Sequence, residues 1–166
     1  MTKEAQVGVL ERSPYYLLKR AAQFAAATYA NHVGRSGLTA RQFTILKAVE
    51  ANEGASQTAL VQITGIDRST LADVVARLID QGYLHRRRRA DDARANTVRL
   101  SAAGRRAVRT NSPGVDGVDK DILAALPRSH RKPFLEALGI LAVKMDGSDK
   151  LAPALKRQPR RRRKPA

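Results

Sequence analysis

The chain has no cysteine and no tryptophan, and only 4% of its 166 residues are aromatic. Without thiols there can be no disulfide, no thiolate metal site and no cysteine redox switch. No apolar stretch approaches the ~20 residues that a membrane-crossing helix needs. The N-terminal residues carry acids and no hydrophobic run, so they do not read as a secretory signal, and a cytoplasmic location is expected. Acid is also scarce: 15 Asp and Glu stand against 31 Lys and Arg, a net charge of +16. A field of that sign attracts polyanions, nucleic acid before anionic membrane. Seven of the basic residues crowd into 156–166, which holds no acid. Setting those seven aside leaves 24 basic against 15 acidic residues on 1–155, still +9, so the segment able to fold is itself basic. That favours nucleic acid as partner over a membrane.

Catalytic chemistry has little to stand on. His32, His85 and His130 are scattered, with no metal-ligand spacing and no neighbouring carboxylates. No phosphate-binding glycine loop is present. The expectation is therefore a protein with no cofactor, no metal site and no enzyme activity.

What the sequence does have is helix. Alanine and leucine dominate the apolar set, which favours α over β, and the length suits one domain with its own core. Ser13-Pro14 reads as N-cap and first helical residue, followed by a stripe of Leu17, Ala21, Phe24, Ala25 and Thr28 that ends near Gly34 and Gly37. Thr39 caps a second helix whose buried side is Phe43, Leu46 and Val49. Ser56 caps a short helix over Gln57–Thr64, stopped by Gly65. Asp67 caps the next, where Leu71, Val74, Val75, Leu78 and Ile79 fall at i, i+3, i+4, i+7 and i+8, a complete amphipathic stripe, and Gly82 stops it. Residues 83–89 and 96–100 read as two short strands around a charged turn. Ser101 caps a further helix that Pro113, Gly114 and Gly117 should kink or interrupt, and Pro127 ends that run. Ser129 opens the last helix, with Pro133 in its first turn and Phe134, Leu138, Leu141 and Met145 along its apolar edge. Residues 147–166 are too polar and proline-broken to pack and are expected to be a disordered basic tail.

This order of elements is a winged helix-turn-helix, mainly α with a two-stranded wing and helical arms on either side. The helix capped by Asp67 hides aliphatics on one face and carries Arg68, Ser69, Thr70, Asp73, Ala76 and Arg77 on the other. Arginines and small hydroxyls at a helix N-terminus suit the major groove, where arginine bonds guanine in bidentate fashion. Arg77 has an alternative, a local ion pair with Asp73 four residues before it. Ser56 and Gln57, at the start of the preceding helix, join the candidate DNA-facing set. Strand alternation lets only half of Arg86–Arg89 face DNA together; Arg86 and Arg88 are the candidates, the others being solvated or paired with Asp91 and Asp92. A solvated charged edge that blocks strand-on-strand aggregation remains the competing reading. Asp92 and Arg94 complete the set at the hairpin turn, with Arg94 entering the minor groove.

Five blocks in order now matter: Leu38 to Leu46, Thr64 to Leu71, Leu78 to Leu84, Asp91-Asp92-Ala93-Arg94, and Leu100 to Gly104. Together they resemble the successive signature blocks of the MarR (multiple antibiotic resistance regulator) family over roughly residues 13–146. Val61 and Thr64 depart from the motif, which has a small alanine and an aliphatic residue at those places. The resemblance implies a homodimer with an N-terminal arm at 1–12, a DNA-binding lobe at about 39–100 and dimerisation helices at about 13–34 and 101–146. It implies a pseudo-palindromic operator, usually repressed and released by a small effector. With no cysteine for thiol sensing, a small-molecule effector is favoured, and an aromatic carboxylate is one class that fits the chemistry. Tyr16, Arg20, Tyr29, His32, Arg41 and Phe43 offer it aromatic walls and polar groups, although packing, dimer contact or surface charge is the ordinary role of such residues.

Overall fold

A computed structural model describes residues 10–34, 37–88 and 96–146. The chain divides into two compact units, Met1–Arg128 and Ser129–Ala166. The first unit holds α1 (Pro14–Val33), α2 (Ala40–Ala51), α3 (Gln57–Thr64), α4 (Arg68–Asp80), strands β1 (Leu84–Arg88) and β2 (Asn96–Leu100), and α5 (Ala102–Ala124); α6 (Arg128–Asp146), all but its first residue, makes up the described part of the second.

Helices α1 to α5 each begin where a side-chain oxygen meets an orphan amide. Ser13 Oγ accepts from the Tyr16 amide at 3.4 Å and Ser56 Oγ from Ala59 at 3.2 Å. Thr39 and Gln42 form a reciprocal capping box, Thr39 Oγ1 accepting from the Gln42 amide at 3.2 Å and Gln42 Oε1 from the Thr39 amide at 2.9 Å. α3 stops at Gly65, whose φ of +65° is open to glycine at little cost. α4 ends in a Schellman arrangement: the Tyr83 amide reaches Leu78 O and the Gly82 amide reaches Ile79 O, both at 2.9 Å, with Gly82 at φ +75°.

β1 and β2 pair antiparallel from Leu84 opposite Leu100 to Arg88 opposite Asn96. A bridge from Ser56 to Thr97, with the Val98 amide donating to Ala55 O, fastens the hairpin to the start of α3. The lobe's core is aliphatic: Ile45, Leu46 and Val49 of α2, Leu60 of α3, Leu71, Val75 and Leu78 of α4, and Val98, Leu100 and Val108 behind them. Gly104 lets α5 touch the turn after α4, because a Cβ there would land on the Tyr83 carbonyl oxygen.

Two expectations need correcting. α5 is one unbroken helix through Pro113, Gly114 and Gly117. The glycines are there for contact: a Cβ on Gly117 would lie 2.7 Å from the His32 ring, and one on Gly114 would lie 3.1 Å from the His32 carbonyl oxygen. α1 therefore packs directly on the bare backbone of α5, and His32 Nε2 reaches Asp121 Oδ2 at 2.7 Å. Just before the proline, Asn111 and Ser112 fold their side chains back onto the Ala107 and Val108 carbonyls. α6 begins at Arg128, not Ser129, so Pro133 is its sixth residue and lies beyond the first turn.

Candidate nucleic-acid interface

The Asp67–Gln81 segment is sharply two-sided. Leu71, Val74, Val75 and Leu78 are buried, while Arg68, Ser69, Asp73 and Arg77 are exposed and Thr70 and Ala76 half-buried. Its N-terminus is held by the Asp67 carboxylate, which accepts from Ser69 Oγ at 2.6 Å and from the Thr70 amide at 3.0 Å. The Ser69 hydroxyl first, and then the Thr70 amide, hold that carboxyl well below the usual aspartate range. Arg68 reaches across to Thr58 Oγ1 at 3.4 Å, a long contact between the two helices of the motif. The local alternative for Arg77 is not realised: neither Arg77 nor Asp73 makes an ion pair among the described residues.

Beside α4 runs a polar groove of about 570 Å³, walled on one side by Thr39, Ala40, Arg41 and Gln42 of the α2 first turn and its cap, and on the other by Thr70, Asp73, Val74 and Arg77. Gln42 Nε2 donates to Gln81 Oε1 at 3.2 Å and so ties the start of α2 to the end of α4. Sequence reasoning set Arg41 among the effector residues and missed this neighbourhood. One signal was available, since Arg41 falls off the buried Phe43–Leu46–Val49 stripe.

Other sequence-derived candidates fall in several places. Ser56 is half-buried, with its hydroxyl engaged as the α3 cap, and Gln57 is half-buried beside it. Arg86 is exposed and sits opposite Val98; Arg88 occupies the last pair of the hairpin, opposite Asn96. Asp92 and Arg94 lie outside the described residues. At the base of the wing, Glu53 receives Arg105 at 3.2 Å and Arg99 at 3.9 Å, an exposed ion cluster not anticipated from sequence.

The six effector candidates do not share one environment. Phe43 is 7% exposed and belongs to the lobe's core, Arg41 lines the groove beside α4, and His32 is engaged by Asp121. Tyr16 is half-buried and Arg20 exposed. The Tyr29 hydroxyl is shielded and finds no hydrogen-bond partner among the described residues, and burial raises its pKa.

No helix among the described residues is long and apolar enough to cross a membrane. A sequence model of the MarR family matches residues 36–95. The Escherichia coli transcriptional regulator HosA is 29% identical over 99 residues, 60% of this chain and 73% of HosA. Among solved structures, a probable transcriptional regulator from Pseudomonas aeruginosa is 30% identical with a TM-score of 0.73, the match covering 80% of this chain and 98% of that one. Bordetella bronchiseptica BpsR, solved in a study of the regulation of its DNA binding by 6-hydroxynicotinic acid, is 27% identical with a TM-score of 0.75 over 79% of this chain and 94% of BpsR.

Proposed function

Since this chain belongs to the MarR family of transcriptional regulators, we propose that it binds double-stranded DNA as a homodimer and represses a promoter until a small aromatic or anionic ligand releases it. The fold and the relatives are those of regulators, not of enzymes. One observation carries the reading: α4 spends its whole aliphatic stripe on the lobe's core and leaves Arg68, Ser69 and Thr70 at its capped start accessible to a duplex. Base edges are within reach of Arg68, and the two hydroxyls suit base or phosphate. Arg86, Arg88 and Arg94 of the wing would add contacts along the neighbouring minor groove.

The homodimer reading is supported by apolar surface that a single chain leaves wet. On α1, Leu17, Leu18 and Phe24 are 47%, 47% and 49% exposed. On α6, Ile140 and Val143 are 64% and 70% exposed, with Leu135 and Leu141 beside them. Apolar runs of this extent mark association surfaces, and an isologous pair would also match a two-fold operator. For the ligand, Tyr29 supports a site beside α1. Its phenol stays protonated and finds no acceptor among the described residues, so a carboxylate or ring hydroxyl of an aromatic acid would satisfy it.

Footprinting on the promoter next to the gene tests the whole reading. A protected pseudo-palindrome is expected, bound at least ~10³-fold more tightly than random DNA at physiological salt, with protection lost on adding 6-hydroxynicotinic acid or a related aromatic acid. Uniform weak protection would favour the one competing reading that the +16 charge supports, a non-specific nucleic-acid-binding or architectural protein.

A further inference from the structure

We propose that Arg41 is a phosphate clamp, gripping the DNA backbone at the edge of the major groove that α4 enters. The inference rests on the DNA-binding reading above and adds a residue from outside the helix-turn-helix pair. Arg41 stands on one wall of a groove whose other wall is Thr70, Asp73, Val74 and Arg77 of α4, so whatever lies against Asp73 and Arg77 also lies within reach of Arg41. A helix seated in the major groove is flanked by phosphates, and it is phosphate contacts that fix its register.

Three features suit Arg41 to that task. Its backbone is fixed, because the Thr39–Gln42 capping box sets the first turn of α2 and the Gln42–Gln81 side-chain bond links that turn to α4. The clamp and the reading helix therefore move as one body. Its guanidinium is exposed and has no ion-pair partner among the described residues. And the groove's charge is right for an anion: among the described residues that line it, Arg41 and Arg77 outnumber the one carboxylate, Asp73. Its walls are threonine, glutamine and charge, with Val74 as the one large apolar side chain, whereas a site for an aromatic effector needs mostly apolar walls. Planar, bidentate phosphate recognition is what a guanidinium does best.

Phosphate contacts are blind to sequence, so the test needs no operator. Binding of the full chain to a 30-base-pair duplex of mixed sequence is measured by fluorescence anisotropy across a series of salt concentrations. Arg41→Ala should lower the slope of log K against log salt by about one per protomer and weaken binding to any duplex. Arg41→Lys, which keeps the charge, should keep the slope. Arg106→Ala, which removes the same charge from the exposed surface of α5, should leave it close to wild type. Arg41 is exposed in a helix and alanine is a strong helix former, so circular dichroism of the variant should match the wild type. A slope equal to that of Arg106→Ala, or unchanged duplex binding with a lost ligand response, overturns the clamp while leaving DNA binding intact. A wild-type chain that ignores the duplex overturns both.

Discussion

Asp67 joins helix start, electrostatics and surface chemistry in one side chain. Its carboxylate caps α4 and is shared between the Ser69 hydroxyl and the Thr70 amide, the two residues that would face a duplex. Both bonds favour the ionised form, so the folded pKa lies below the unfolded one. The stabilisation is therefore fully present above the ordinary aspartate value of ~3.9 and lost as pH falls through that range toward the lower folded value. Asp67→Asn keeps a side-chain acceptor for the cap but has no charge to lose. The thermal midpoint of the asparagine variant should lie below wild type at pH 7, with the gap closing as pH is taken from 5 to 3. A gap that is constant over that window would mean that the charge on Asp67 contributes nothing beyond an amide.

At the scale of elements, local chemistry was enough wherever a helix carried its own start and stop. The caps at Ser13, Thr39, Ser56, Asp67 and Ser101, the stops at Gly65 and Gly82, and the five-residue aliphatic stripe of α4 are signals held within a turn or two, and the exposure of Arg68 and Ser69 follows from that stripe. α5 was misread because Pro113, Gly114 and Gly117 are breakers only when nothing else is known. The reason for the glycines is His32, 82 residues or more away in the chain and invisible to any window. The groove beside Arg41 was out of reach for the same reason: Asp73 and Arg77 come to face it only through packing of α2 on α4. Phe43 is different, since its own periodicity already marked it as core. Pro113 remains an anomaly of propensity, exposed in mid-helix with no N–H to give. Pro113→Ala should stabilise the chain by about 1–3 kcal/mol, read as a higher urea midpoint at unchanged slope. No gain would mean that the ring fills a contact equal to the bond it forfeits.

For the whole molecule the governing quantity is charge, and its two halves should act differently on DNA. The basic run at 156–166 lies outside the described residues, but its seven cations and absence of acid hold in any conformation. Each phosphate neutralised releases counterions, adding about 0.9 to the slope of log K against log salt. Such contacts read no bases, so the tail should strengthen binding to operator and random duplex by the same factor. Removing residues 156–166 should therefore flatten the salt dependence of both and leave their ratio unchanged. Alanine at Arg68, Ser69 and Thr70 together should do the reverse, collapsing the ratio while changing the slope by only the single arginine. The truncation and the triple substitution thus separate attraction from recognition within one chain. If trimming the tail lowered the ratio as well, the basic run would be reading sequence or shape, and selectivity could no longer be assigned to α4 and the wing alone. If it left the slope untouched, the +9 that remains on residues 1–155 would account for the whole electrostatic pull, and the tail would be bystander charge.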